Sequence, residues 1–467
     1  MSDLREQNMG TALAENTDNE NSLDSVGRST LPRKSFLGKA VPMATKGGLA
    51  VLDQGLISGS NFLVGILLAR WLAPEEYGAY ALAFAIFLLL SFVSQSLLFE
   101  PMAVFSGSSY QKSMRGYFRS VLWIHLAMTV ITFLLLGSAA GVAFLRSEPN
   151  GLPGALLGVT LASPCILLFW LARRAYYTQL SPARATSGAG VYCLLLVAGL
   201  FLIHHRQRLS AFSAYVLMGA AALGTAGYLL WHLRRILPGI EAGPKFGEAC
   251  RRHWDYGRWA LASSFATWIP FYMYYPLLSA FSGMAQAGEL RALMNLALPL
   301  EQTYTALSSL LLPWAARVQL REGVAGASRL NHRLTALYTG GAILYWAVVI
   351  PLRVPAFHLL YGGKYLEVAY LIPLVGLETL LSSAAFGPAT VLRAMESPAS
   401  IFYARIAASV LSLVIGIPLT RSYGLVGVVW SIVLANIAAF LITLYLLRRK
   451  VSAGIEPVNA EPQTDPA

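Results

Sequence analysis

Residues 53–101 contain two long apolar segments joined by a short polar turn, and this pattern constrains the fold more than any other part of the sequence. Pro74 disfavours continuation of the first helix, and Gly78 gives the backbone freedom to begin the second. Glu75 and Glu76 lie between them and favour water over lipid. Because roughly 20 apolar residues cross a bilayer as an α-helix, the stretch predicts two transmembrane helices joined by a turn at the membrane surface.

The composition excludes an ordinary soluble protein. Of the 467 residues, 56% are hydrophobic and 12% are charged, whereas a soluble domain is about one quarter charged. The hydrophobic pattern predicts twelve membrane spans: residues 48–72, 77–99, 118–145, 152–171, 183–203, 211–233, 259–281, 288–312, 334–354, 366–392, 399–420 and 424–447.

The net charge of +12 is spread over the short segments between spans. This distribution fits the positive-inside rule better than nucleic-acid binding. With an even number of spans, both termini lie on one side. Most Arg and Lys residues fall on that side, so we expect both termini in the cytoplasm.

The second half of the chain repeats features of the first at nearly constant separations. The matched positions are Gly78 with Gly288, Pro101 with Pro313, and Ser181-Pro182 with Ser397-Pro398. Because each half holds six spans, the two copies have the same orientation, which predicts a pseudo-twofold axis along the membrane normal and a central cleft.

The predicted fold is therefore an all-α polytopic membrane protein with two six-helix bundles. Its parts are a disordered cytoplasmic tail (1–46), the first bundle (47–233), a basic cytoplasmic connector (234–257), the second bundle (258–449) and a disordered cytoplasmic tail (450–467).

Four segments carry a family resemblance: RWLAPEEYG (70–78), FSGMAQAGELRAL (281–293), LLYGGKYLEVAYLIPLVGL (359–377) and RSYGLVGVVWSIVLANI (421–437). They are similar to the Wzx-type flippases, the polysaccharide-transporter branch of the multidrug/oligosaccharidyl-lipid/polysaccharide (MOP) exporter superfamily. The resemblance implies a two-lobed transporter in the bacterial inner membrane. It also implies a substrate, oligosaccharide linked to undecaprenyl pyrophosphate, that is moved to the outer leaflet for surface or exopolysaccharide synthesis.

Such a substrate needs cations and aromatic rings in a wet cleft, since guanidinium groups bind phosphate oxygens and aromatic faces bind sugar rings. Arg291 is the first candidate, and Asn295 and Gln302 are expected to share its helical face within the predicted span 288–312. Arg405 is a second candidate phosphate ligand. Tyr275 belongs to an aromatic run in span seven that indicates either sugar binding or an interfacial aromatic belt.

Carboxylates inside apolar spans are candidates for ion coupling. Asp53, Glu301 and Glu378 could each take up a proton or sodium ion. For Asp53 the alternative is solvation near the cytoplasmic end, or a pair with Lys46. We expect no cofactor, and energy from an ion gradient or the membrane potential.

The motifs that are missing argue against an enzyme. The sequence has neither a D-x-D pair nor a G-x-x-x-x-G-K-S/T loop, and we assign no catalytic residue and no metal site. Three alternatives to a flippase remain open: a multidrug exporter of the same superfamily, a membrane enzyme of polysaccharide assembly, and a scaffold. The expected partners are the lipid-linked saccharide, membrane lipids and other polysaccharide-assembly proteins, with no nucleic acid.

Overall fold

The computed structural model of the protein describes residues 34–146, 151–179, 181–237, 243–395 and 397–453. Regular structure in these residues is entirely helical. The chain divides into two compact units, residues 1–49 and 50–467. The described part of the first unit is helical, and every contact discussed below lies within the second.

The first half of the chain forms long helices that are apolar along most of their length. They are α1 (Lys34–Trp71), α2 (Pro74–Gly107), α3 (Met114–Leu145), α4 (Leu152–Thr178), α5 (Pro182–His205) and α6 (Ala211–Ile236). Inside α2, Gln95–Phe99 adopts a π-helical turn. The central helix is α4, which packs against α2, α3, α5 and α6.

The second half is more broken, because prolines and glycines interrupt its helices. Its helices are α7 (Phe246–Tyr272), α8 (Tyr274–Phe281), α9 (Met284–Asn295), α10 (Leu298–Val349), α11 (Arg353–Tyr361), α12 (Leu366–Ala394), α13 (Pro398–Leu411) and α14 (Ile417–Ala453). Two glycines are non-helical inside these runs, Gly323 in α10 and Gly424 in α14.

The helices of each half pack mainly on one another. In the second half α12 packs against α10 and α14, and α13 packs against α14 and α7. The halves meet where α2 contacts α9 and α7, and where α3 contacts α7. This all-helical, two-bundle architecture confirms the predicted fold class.

Within the described residues, eight helices are long and apolar enough to cross a membrane, or nine if the bent pair Ala325–Val349 and Arg353–Tyr361 counts as one span. All six spans predicted for the first half are among them. Predicted spans seven and eight are instead divided among α7, α8, α9 and the start of α10, with breaks at Met273 and at residues 282–283 and 296–297. The count of twelve stays a prediction.

Three helices extend into segments that were predicted to be tails or the connector. Helix α1 already begins at Lys34, inside the predicted tail, and residues 1–33 lie outside the described part of the chain. Helix α7 begins at Phe246, inside the predicted connector. Helix α14 ends at Ala453, and the rest of the predicted C-terminal tail is outside the described residues.

The early start of α7 has a physical reason, because its first turns are amphipathic. Ala249, His253 and Gly257 recur every four residues and are buried, whereas Arg251 and Trp254 are exposed. The charged residues that indicated a loop form the exposed face of a helix.

His253 joins this segment of α7 to the first half through two hydrogen bonds. Its Nδ1 lies 2.8 Å from the carbonyl oxygen of Leu97, and its Nε2 lies 2.8 Å from the hydroxyl of Tyr117. Since a carbonyl can only accept, Nδ1 carries the hydrogen and Nε2 accepts from Tyr117. Burial lowers the pKa of His253, which favours this neutral form.

The second unit has two ends with different loops, the hairpin end and the connector end. The hairpin end contains the α1–α2 turn, the α5–α6 loop and residues 362–365. These segments touch, because Glu76 accepts from the backbone amide of Ala211 (2.9 Å) and Lys364 donates to the carbonyl of Leu72 (2.6 Å). The connector end contains residues 108–113 and 243–245, where Ser120 donates to the carbonyl of Pro244 (3.0 Å).

Candidate functional site

A cavity of about 330 Å³ lies among the helices of the second half. Residues of α7, α10, α12, α13 and α14 line it, together with Phe92 of α2. Its walls are mostly apolar. The polar side chains that reach it include Glu301, Arg393, Arg405 and Asn436. Charged groups that line a cavity among apolar helices are candidates for a functional site.

Two guanidinium groups face this cavity. Arg405 of α13 donates to the hydroxyl of Thr267 on α7 (2.7 Å), which orients it across the cavity. Arg393, near the end of α12, is its electrostatic neighbour. Two like charges beside one cavity repel each other, and an anion between them would relieve that repulsion.

Two carboxyl groups lie on the α10 and α12 sides of the same region. Glu378 is buried, with 2% of its surface exposed, and accepts from the hydroxyl of Thr379 (3.0 Å) and the amide of Asn436 (3.1 Å). Glu301 lines the cavity and is the electrostatic neighbour of Glu378. Adjacent buried carboxylates disfavour a double negative charge, so the pair is suited to share a proton or bind a monovalent cation.

The described residues contain no group of three or more His, Cys, Asp or Glu side chains that could hold a metal ion. The groups that hydrogen-bond to Glu378 are an amide and a hydroxyl, not further acidic or imidazole ligands.

Arg291 lies outside this cavity, between α9 and α2. It is 7% exposed, and its guanidinium carbon sits 4.5 Å from the centroid of the Phe84 ring. Tyr77 and Tyr80 on α2, and Tyr272 and Tyr275 near the α7–α8 break, are the electrostatic neighbours of its charge; together with Phe84 they form a set that we call the aromatic box.

Asn295 lies one turn after Arg291 on α9 and is fully buried. Its Nδ2 donates to the hydroxyl of Tyr77 (3.0 Å). Two polar atoms of this pair have no hydrogen-bond partner within the described structure, Nε of Arg291 and Oδ1 of Asn295.

Gln302 does not share the face of Arg291. Helix α9 ends at Asn295, and α10 begins at Leu298 with Pro299 in its first turn. The predicted continuous helix across these positions was therefore wrong. Gln302 lies on a different helix and accepts from the hydroxyl of Ser58 (3.1 Å).

Tyr275 contacts a charge and not the membrane interface. It is buried in the box beside Arg291. Tyr272, three residues earlier, lines the cavity and is the electrostatic neighbour of both Arg291 and Glu301. The break at Met273 thus places tyrosines between the cavity and Arg291.

Asp53 is engaged in a buried ion pair. It is 1% exposed and binds Arg173 of α4 through two hydrogen bonds, one of them from Nε (3.2 Å). Tyr177 donates a third hydrogen bond to the carboxylate (2.6 Å). Solvation of Asp53, one alternative drawn from the sequence, is excluded by this burial. Its partner is Arg173, and the side chain of Lys46 lies outside the described structure.

The two halves are in close contact at the hairpin end. Gly78 of α2 faces Met284, and a Cβ at position 78 would lie 1.8 Å from the Met284 carbonyl oxygen. A Cβ at Gly288 of α9 would lie 2.7 Å from the carbonyl oxygen of Pro74. These repeat-related glycines let the two helix backbones touch.

Polar contacts close the same end. Lys364 donates to the carbonyls of Arg70 (2.9 Å) and Leu72 (2.6 Å) at the end of α1. Arg70 in turn donates to the carbonyl of Leu359 (2.6 Å). Access between α2 and α9 from this end is closed in the structure.

Sequence reasoning missed three of these residues. Arg393 follows the predicted end of a span at residue 392. Arg173 and Lys364 lie between predicted spans, where charged residues are expected to face water. No local pattern connects them to their partners, which are far away in the sequence.

No family model matches the chain. The chain is similar to the succinoglycan biosynthesis transport protein ExoT of Rhizobium meliloti (strain 1021), with 23% identity over 442 residues that cover 87% of this chain and 83% of that protein.

Solved structures show the same fold. An inward-facing multidrug resistance MATE family transporter of the MOP superfamily has a TM-score of 0.72, with 14% identity, 86% of this chain covered and 95% of that chain. The lipid II flippase MurJ in its inward closed conformation has a TM-score of 0.65 and 14% identity, with 89% of each chain covered. An outward-facing multidrug resistance MATE family transporter of the same superfamily has a TM-score of 0.62 and 13% identity, with 87% of this chain and 94% of that chain covered.

Proposed function

We propose that this chain, a membrane transporter of the MOP exporter superfamily, moves a lipid-linked oligosaccharide with an anionic pyrophosphate headgroup across the bacterial inner membrane. The observation that carries the proposal is the pair Arg393 and Arg405 beside one cavity among membrane helices. Pyrophosphate has the charge and the oxygen geometry that guanidinium groups bind best.

The proposed transport cycle starts from the closed contact between the halves at the hairpin end. The positive-inside pattern favours an outer position for the hairpin end, where Gly78, Gly288 and Lys364 close the contact between the halves. The two halves, residues 47–233 and 258–449, would then rock about the α2–α9 contact. The headgroup enters the cavity from the cytoplasmic side, and its apolar tail stays in the lipid.

An ion gradient would supply the energy for the cycle, coupled through the carboxyl pair Glu301 and Glu378. Uptake of a proton or sodium ion by this pair removes negative charge from the cavity that also contains Arg405. Such a change alters the affinity of the cavity for an anion, which is the differential interaction that coupling requires. Asp53 is less suited to this role, because Arg173 already compensates its charge.

The rival function is export of cationic drugs, which the shared fold with multidrug resistance MATE family transporters raises. Arg393 and Arg405 would repel such a cation. The two functions therefore predict opposite ligand charges for the same cavity.

Binding competition in lipid nanodiscs tests this difference. We expect undecaprenyl pyrophosphate to bind the wild type, and the organic cation tetraphenylphosphonium to fail to displace it. The double substitution Arg393→Met and Arg405→Met should weaken binding at least about tenfold, since each hydrogen bond to a charged group contributes roughly 1.5–3 kcal/mol. Arg321→Met, which removes an exposed arginine of α10 outside the cavity, is the matched control. Displacement by tetraphenylphosphonium, or equal affinity in the double variant, would contradict the proposal.

A further inference from the structure

Arg291 carries a buried charge that no carboxylate among the described residues compensates. It is only 7% exposed, and within the described residues no carboxylate lies within ion-pair distance of it. Its compensation comes only from the ring of Phe84 and from neutral tyrosines. A buried charge without a counter-ion is costly, so the closed contact between α2 and α9 is held against this cost.

The unsatisfied atoms around this charge form a pattern. Nε of Arg291 is a donor without a partner in the described structure, and Oδ1 of Asn295 is an acceptor without one. The two residues are four apart on α9 and therefore project from one face of that helix. A donor for phosphate and an acceptor for a hydroxyl, side by side, match the junction between a phosphate and a sugar.

Access of a ligand to Arg291 and Asn295 depends on the helices that carry the aromatic box. Tyr77, Tyr80 and Phe84 belong to α2, whereas Arg291 and Asn295 belong to α9. Next to the box, the backbones of the two helices touch at Gly78 and Gly288. A separation of α2 from α9 would expose Arg291 and Asn295.

We propose that Arg291 and Asn295 form a second anion site, which is hidden in the closed structure and opens when α2 and α9 separate at the hairpin end. A phosphorylated saccharide headgroup bound there holds that end open. The inference rests on the proposed function and adds a state-specific site to it, distinct from the cavity that contains Arg393 and Arg405.

The direction of the coupling follows from linkage. A ligand that binds only the open state shifts the equilibrium towards it, by an amount set by its affinity difference between the two states. The buried guanidinium raises the free energy of the closed state. The ligand therefore has a smaller free-energy difference to overcome when it stabilises the open state.

The test measures the opening of the hairpin end as the distance between two spin labels. Cys165, Cys193 and Cys250 are replaced by serine, and spin labels are attached to cysteines at Arg208 and Tyr370, which are exposed at the hairpin end in the first and second halves. Label distances are measured in nanodiscs with undecaprenyl pyrophosphate and, as the uncharged probe, with undecaprenol. We expect the pyrophosphate lipid to raise the population with long distances about tenfold, and undecaprenol to leave it unchanged.

Arg291→Met should remove this response and also lower the open population without ligand, because no charge is buried on closing. Arg291→Gln tests the same point if the methionine variant does not fold. Arg421→Met, at an exposed arginine near the hairpin end, should respond as the wild type does. An equal response in the wild type and in both Arg291 variants would overturn the inference.

The same samples separate this inference from the proposed function. If undecaprenyl pyrophosphate binds the wild type and Arg291→Met equally, and both open equally, the second site is wrong and the first stands. If the lipid binds neither protein, the proposed function itself fails and the inference falls with it.

Discussion

Replacing Arg173 with methionine is expected to lower the free energy of unfolding by about 3–5 kcal/mol, because breaking a buried ion pair leaves the remaining charge uncompensated. Asp53 would keep only the hydrogen bond from Tyr177 in a position that is 1% exposed. Chemical or thermal unfolding in detergent measures the change. Arg174→Met, at the exposed neighbouring arginine, is the matched control and should unfold as the wild type does.

The double variant Asp53→Leu with Arg173→Met distinguishes two roles for the pair. If the pair only joins α1 to α4, the double variant should recover most of the lost stability and retain transport, since apolar replacements of a buried pair are often neutral. A double variant that is stable but has lost dependence on an ion gradient would instead give Asp53 the coupling role predicted from the sequence. A stable Arg173→Met single variant would contradict the ion-pair assignment.

Gly78→Ala is expected to open the hairpin end. The added Cβ would lie 1.8 Å from the carbonyl oxygen of Met284, and a backbone atom cannot move away as a side chain does. Overpacking costs typically about 1–3 kcal/mol. Since about 1.4 kcal/mol is a factor of ten in an equilibrium constant, the ratio of closed to open molecules should fall roughly tenfold.

The distance between labels at positions 208 and 370 measures this shift. Gly137→Ala is the control, because a Cβ at that position meets nothing within 4 Å. It should leave the distance distribution unchanged. A closed distance in Gly78→Ala equal to that of the wild type would show that the glycine contact does not hold the end shut.

The sequence was most informative for features that depend on residues close together in the chain. Pro74 predicted the break between α1 and α2, and hydrophobic length predicted the spans of the first half. Helix α2 begins at Pro74, so Gly78, expected at the start of that helix, lies inside it. The predicted all-helical fold is confirmed, and solved structures of multidrug resistance MATE family transporters of the MOP superfamily share it. The matched glycines Gly78 and Gly288 were identified as a repeat, and the structure adds that each packs against the partner helix's backbone.

The sequence was least informative where partners are distant. Nothing near Asp53 points to Arg173, which lies 120 positions away. Arg291 and Asn295 were identified correctly as neighbours, but a helix break at residues 296–297 separates them from Gln302. Arg393 lies just beyond a predicted span, where a charge usually faces water, and it is exposed but also lines the cavity.

The most direct measurement is leaflet access of a fluorescent undecaprenyl-pyrophosphate saccharide in proteoliposomes. A membrane-impermeant quencher reports the fraction of label on the outside, with proton and sodium gradients applied in turn. The account predicts that the protein accelerates exchange between leaflets under one of these gradients, that Arg393→Met with Arg405→Met abolishes the acceleration, and that Glu301→Gln removes its dependence on the gradient. Exchange no faster than in protein-free vesicles, under either gradient, would contradict the account.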